Sequence, residues 1–212
     1  MSEVRSLADD LRSRYDRIDV LANNAGAIFA TRAETSEGLE RTFALNHLAP
    51  FLLTHLLRDR LAGGHVITTA SDAHKAGRLD MSDLQSTRSY SASRVYGASK
   101  LCNILFTREL ARRAPELRAN CFHPGVVRTG FAKNEGGILK VLITLGGPLL
   151  RSPERGARSL VWLATSPDAA VLDGEYIRDE KISAPNAKAQ DPILAAELWA
   201  KSSALLGLDS HT

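Results

Sequence analysis

Apolar residues recur at helical spacing over Ser2 to Tyr15, where Val4, Leu7, Ala8 and Leu11 form one stripe. A short apolar run, Ile18 to Ala22, then stops at Asn23-Asn24-Ala25-Gly26, the pattern of a buried strand ending in a tight turn. A longer helical pattern runs from about Glu37 to Leu61, with Ser36 as its expected cap and Gly63-Gly64 as its stop. His65 to Thr69 is rich in β-branched residues and predicts a second buried strand. Asp72 to Ser93 is polar and irregular, a loop. Leu101, Ile104, Leu105 and Leu110 place the next helix over Arg94 to Arg113, and Arg118 to Phe122 predicts a third strand closed by His123-Pro124-Gly125. Gly130 to Arg151 reads as loop with room for one short helix. Ser152-Pro153-Glu154 opens a helix through Leu160, Val161, Leu163 and Ala164. Gly174 to Ile177 predicts a last strand, and Asp191 to Leu206 a final helix carrying Trp199.

Strands alternating with helices at these lengths predict a parallel sheet built from βαβ units, as one domain over residues 1–212. Such sheets bind ligands at the carboxyl ends of their strands. In this chain those ends are Asn23 to Gly26, Ser71, and Pro124 to Thr129.

One pair of side chains carries acid–base chemistry. Tyr96 and Lys100, four residues apart, share a helix face one turn apart. An ammonium beside a phenol favours phenolate, so the spacing predicts a tyrosine of lowered pKa able to exchange a proton with a substrate oxygen. The bland alternative is a half-buried tyrosine beside a surface lysine, and a lone Tyr-x-x-x-Lys does not decide between them.

Composition narrows the classes. The 212 residues carry a net charge of +3 with a pI of about 9.0, but the basic residues are scattered, which argues against a nucleic-acid partner. Cys102 and Cys121 sit in apolar runs without a CxxC or Cys/His pattern. They read as free thiols in a reducing, cytoplasmic setting, and no metal site is expected. Met1 to Asp19 is charged throughout, unlike a secretory leader. The most apolar run, Ile138 to Leu150, is broken by Lys140, Gly146, Gly147 and Pro148 and falls short of the ~20 residues of a membrane helix.

Taken together, Asn23-Asn24-Ala25-Gly26 after a strand, Leu45-Asn46-His47 in the next helix, Ser71 after the next strand, Tyr96-x-x-x-Lys100, and His123-Pro124-Gly125 followed by Thr129 stand in the order of one family. The chain resembles the short-chain dehydrogenase/reductases, in their retinol dehydrogenase-like branch. Secondary matches are Ser99 to Thr107 and the helix opening Ser152-Pro153-Glu154. Tyr90-Ser91-Ala92-Ser93-Arg94 imitates the catalytic motif but carries Arg for Lys and precedes the helical pattern.

The resemblance implies a Rossmann-like doubly wound parallel sheet and hydride transfer between NAD or NADP and a small-molecule alcohol or carbonyl. It implies Tyr96 as general acid or base, Lys100 as the group that lowers its pKa and holds the nicotinamide ribose, and Ser71 as a hydrogen-bond partner of the substrate oxygen. Asn46 would anchor a water that passes protons from Lys100 to bulk. Asn23, Ala25 and Gly26 would line the adenosine side, and Pro124, Gly125, Val127 and Thr129 would meet the nicotinamide. Ile138 to Leu150 falls where the family keeps its substrate lid, which points to a hydrophobic substrate; ordinary core packing accounts for the run equally well.

The front of the family pattern is absent. No glycine occurs before Gly26, so the glycine-rich turn that grips pyrophosphate has no counterpart. Neither do the first strands, on the order of 60 residues at ~30 per βαβ unit. The residue that tells NAD from NADP would lie there too, and the choice stays open. On this reading the chain is the C-terminal portion of an N-terminally truncated Rossmann domain. Two expectations follow: a catalytic corner of an oxidoreductase, or an inactive remnant or interaction module that cannot bind cofactor alone and tends to self-association.

Overall fold

Neighbouring residues on the central strands point to opposite sides of a sheet: Val66 against Ile67, Cys121 against Phe122, Tyr176 against Ile177. The first of each pair joins a large apolar core, the second a smaller one, so both faces of the sheet are covered. The computed structural model describes residues 1–127 and 151–208. Thr129 and the Ile138 to Leu150 run lie outside them.

The elements are α1 (Ser2–Arg14), β1 (Val20–Asn23), α2 (Arg41–Phe43), a π-helical turn (Ala44–Leu48), α3 (Ala49–Leu56), β2 (His65–Thr69), α4 (Ala92–Arg113), β3 (Arg118–His123), α5 (Pro153–Thr165), β4 (Tyr176–Arg178), β5 (Lys181–Ile182) and α6 (Pro192–Leu206). The sheet runs β1-β2-β3-β4-β5, parallel through β4, with β5 added antiparallel. Helices α1, α3, α4 and α6 supply the large core, and α5 supplies the small one. This is the α/β architecture expected from the alternating pattern.

Several boundaries differ from the sequence reading. β1 begins at Val20 rather than Ile18, because the Ile18 amide donates to the Arg60 carbonyl and leaves the ladder. Ser36 caps nothing. It lies in a turn closed by the Gly38 amide on the Thr35 carbonyl, and Glu40 caps instead, its carboxylate accepting from the Thr42 and Phe43 amides at 2.8 and 2.7 Å. The long helix is also not continuous. Pro50 has no N–H for the carbonyl of Asn46 four residues back, the chain widens into the π turn, and Arg58–Leu61 tightens into a 3-10 turn. The strand near Gly174 is not the last: Asp179 and Glu180, both at positive φ, turn the chain into β5.

Among the described residues, β1 is hydrogen-bonded on one side only. Val20 is 38% exposed, and a concavity of about 280 Å³ beside it is lined by Leu11, Tyr15, Arg17, Ile18, Val20 and Leu21.

Candidate active site

Among the described residues, those singled out in the sequence lie at or near the carboxyl ends of β1, β2 and β3. Helix α4 starts at Ala92, two residues earlier than its apolar pattern suggests, and carries Tyr96 and Lys100 in its second and third turns. The Lys100 side chain is buried, 2% exposed, and donates to the Thr69 carbonyl at 2.9 Å. The Asn103 amide, one turn on, donates to that carbonyl at 3.1 Å. Ser71 follows two residues after Thr69 as the cap of a short 3-10 segment, Asp72–Ala76, accepting from the Ala73 amide at 3.2 Å. Its hydroxyl also stands close enough to the Tyr96 phenol to lower that phenol's pKa. The segment lies against α4 through paired glycines: a Cβ on Gly97 would fall 2.8 Å from the Ala73 carbonyl and 3.2 Å from the Gly77 Cα.

Asn46 sits on the π turn, fully buried. Its side chain accepts from the Ala27 amide at 2.8 Å, donates to the Ala27 carbonyl at 2.9 Å, and donates to the Ser99 hydroxyl at 2.9 Å. It thereby ties the turn after β1 to α4 beside Lys100. Gly26 closes that junction, where a Cβ would lie 3.2 Å from Asn46 Oδ1 and 3.5 Å from Lys100 Nζ. Asn23 turns inward instead, its amide donating to Thr54 at 3.0 Å, whereas Ala25 is exposed. Pro124, Gly125 and Val127 follow β3, beside the Ser71 segment: the Asp72 amide donates to His123 Nδ1 at 3.3 Å. Gly125 holds a φ of +81° against the Arg151 side chain.

The electrostatics differ from the sequence reading on one point. Burial raises the Tyr96 phenol above its ordinary value, and the Ser71 hydrogen bond offsets only part of that. Lys100 does not produce the expected lowering. Its ammonium is drawn onto Thr69, 5.6 Å from the Tyr96 ring centroid, and burial pulls its own pKa down to about 8. The phenol is therefore protonated at neutral pH.

The pair suits a nicotinamide ribose. A buried ammonium with three donors has one engaged on Thr69, and the glycine beside it leaves room for a sugar edge. Tyr90 belongs elsewhere: its hydroxyl donates to the Phe29 carbonyl at 2.7 Å, ahead of α4. Sequence reasoning missed Thr69, Ala27, Ser99 and Asn103. The first two contribute backbone atoms, which no side-chain pattern reveals, but Ser99 and Asn103 stood within the helix motif. A concavity of about 520 Å³ lined by residues 75–78 and 186–188 holds none of the predicted site residues. Among the described residues, no group of three His, Cys, Asp or Glu could hold a metal, and no helix is long and apolar enough to cross a membrane.

Residues 1–137 match the short chain dehydrogenase family. A protein of Streptomyces sp. (strain C5), named as a daunorubicin C-13 ketoreductase, DnrU, is 45% identical over 208 residues, covering 98% of this chain and 71% of that protein. Human retinol dehydrogenase 13 is 38% identical over 221 residues, covering 99% of this chain and 67% of that protein. Among solved structures, an uncharacterised protein of Mycobacterium paratuberculosis superposes with a TM-score of 0.79 at 32% identity, covering 98% of this chain and 72% of that one. A blue fluorescent protein from a metagenomic library, in complex with NADPH, gives 0.62 at 25% identity, covering 83% and 69%.

Proposed function

The chain belongs to the short chain dehydrogenase family, whose members are NAD(P)-dependent oxidoreductases of alcohols and ketones, and from that premise we propose that it reduces a ketone on an apolar substrate with Tyr96, Lys100, Ser71 and Asn46 as its catalytic set. One observation carries the reading: the Ser71 and Tyr96 hydroxyls stand together beside a buried ammonium at the carboxyl end of β2. The nicotinamide cofactor, when bound, supplies the hydride. A protonated Tyr96 gives its proton to the developing alkoxide, and Ser71 holds the same oxygen by a hydrogen bond. The raised Tyr96 pKa supports reduction over oxidation, which needs phenolate.

Lys100 holds the ribose hydroxyls. Asn46, its side chain engaged, acts through its backbone carbonyl, to which Pro50 offers no N–H, to anchor a water between Lys100 and bulk. Ala25 and Gly26 line the adenosine side; Asn23 does so through its backbone, since its amide is held by Thr54. Pro124, Gly125, Val127 and Thr129 meet the nicotinamide. The retinol in the name of retinol dehydrogenase 13 supports an apolar substrate, and the C-13 ketoreductase name of the Streptomyces relative supports a ketone. Both cysteines are free and buried, which supports a cytoplasmic setting.

A second reading, an interaction module, is favoured by the half-paired edge of β1. Such an edge recruits strands. The purified chain is accordingly expected to self-associate in light scattering, and Val20→Lys to shift it toward monomer. A parent chain monomeric at every concentration would discard β1 as an association surface.

The test of the main reading follows reduced-cofactor absorbance with apolar ketones while calorimetry follows cofactor binding. Ketone-dependent consumption of NADH or NADPH is expected. Binding without turnover on any ketone would refute the catalytic assignment, and neither binding nor turnover would select the module.

A further inference from the structure

His74 is fully buried three residues after Ser71, on the 3-10 segment that Ser71 caps. Both of its ring nitrogens are engaged. Nδ1 lies 2.7 Å from the Ser71 carbonyl, and the Asn186 backbone amide lies 3.3 Å from Nε2. A carbonyl can only accept and a backbone N–H can only donate. The ring is therefore neutral, with its proton on Nδ1, and no other tautomer satisfies both partners.

The surroundings hold the ring as firmly as its hydrogen bonds do. The Tyr176 ring meets it edge-on at 5.2 Å, and Tyr176 donates through its hydroxyl to Asp72 at 3.0 Å. The Asn186 side chain returns to the His74 carbonyl at 3.2 Å, so the clasp between the two segments is double. The Ser71 carbonyl thus accepts from the His74 amide at 3.0 Å as well as from the ring. Serine rotamers alone do not fix a hydroxyl at the mouth of a site. A peptide unit pinned at its carbonyl fixes the Cα–Cβ direction, and the Ala73 amide on the hydroxyl then selects the rotamer.

We propose that His74 is a positioning residue for Ser71: by tethering the serine's carbonyl to Asn186 on the segment before α6, it keeps the Ser71 hydroxyl on the Tyr96 phenol. Nothing in this requires His74 to touch substrate or to change its protonation. The proposal rests on the reading of Ser71 and Tyr96 as the catalytic hydroxyls, but its test reads their contact and not turnover.

The test uses the 212-residue chain with ¹³Cζ-labelled tyrosine, the Tyr96 signal being identified by its loss in Tyr96→Phe. Ser71→Ala first gives the displacement of that signal when the serine contact is gone. His74→Phe keeps a ring against Tyr176 and removes both hydrogen bonds, and it is expected to displace the Tyr96 signal in the same direction as Ser71→Ala. His74→Asn places an N–H near the former Nδ1 and is expected to hold the signal close to the parent position. His74→Gln places its amide near the former Nε2 and is expected to behave like His74→Phe. Should His74→Phe fail to fold, the Asn and Gln pair decides alone. A Tyr96 signal unmoved in folded His74→Phe or His74→Gln would overturn the proposal, as would an Asn variant displaced as far as the Gln variant. Loss of turnover plays no part, so a failed catalytic assignment would leave this result standing and readable by itself.

Discussion

Replacing Tyr96 with phenylalanine is expected to lower the rate of ketone reduction by about 10²–10⁴-fold, the range for removing a positioned general acid. The phenol is the sole proton donor assigned to the substrate oxygen, and Ser71 contributes a hydrogen bond without a proton to give away. The substitution keeps the ring that faces Lys100 and removes one hydroxyl. Ser71 retains the Ala73 amide, so the fold loses only about 1 kcal/mol. Cofactor affinity is expected to stay near that of the parent chain. The measurement is single-turnover reduction beside calorimetric cofactor titration. Parent-like turnover in Tyr96→Phe would remove the phenol from the chemistry, and lost cofactor binding would mean that the ring, and not its proton, is what the site needs. Because burial raises the phenol's pKa, the reduction rate should be flat through neutral pH. It should fall only in alkali, and Lys100, with its pKa lowered to about 8, is already half discharged near that pH.

How much of this was legible beforehand depended on where each signal resides. β2, β3 and α5 came out of the sequence nearly whole, because β2 is rich in β-branched residues, His123-Pro124-Gly125 stops β3, and Ser152-Pro153 is a strong helix start. The Glu37 to Leu61 pattern misled because periodicity reports a helix face and is blind to Pro50, whose missing N–H widens one turn. The glutamate cap at position 40 works through a longer side chain than the usual cap residues and carries no local signature. In the site, spacing paired Tyr96 with Lys100 and strand ends brought in Ser71 and Gly26, whereas Asn46 joined them only through the family resemblance. The sign of the tyrosine's shift was not legible. It turns on burial and on Thr69 drawing the ammonium away, and both are tertiary facts.

Acid is expected to unfold the chain well before its carboxylates titrate, because buried histidines must stay neutral, His47 and His65 with the largest shifts. His47 lies among Phe43, Phe51 and Phe106 with Nε2 on the Ser202 hydroxyl, and burial lowers its pKa from 6.5 to about 3. His65 has Nδ1 on the Leu163 carbonyl and Nε2 beside the Asn120 amide, and burial, with help from Arg118, lowers its pKa to about 4. In each case the folded pKa lies below the unfolded one, so the unfolded chain binds more protons as pH falls. The stability from these neutral rings is complete above pH 6.5 and is lost as pH drops toward 4 and then 3. Each histidine steepens the decline by about 1.4 kcal/mol per pH unit within its window, so the two together cost about 5 kcal/mol at pH 4.5. That rivals the whole stability of an ordinary domain, roughly 5–15 kcal/mol. Urea titrations at pH 7 and pH 4.5 measure it directly. The double variant His47→Gln, His65→Gln starts from a lower stability but should show a much flatter decline over that interval, since nothing at either position is left to protonate. Equal stability of the parent chain at the two pH values would mean that both rings accept protons in place, and the buried-histidine account would fall.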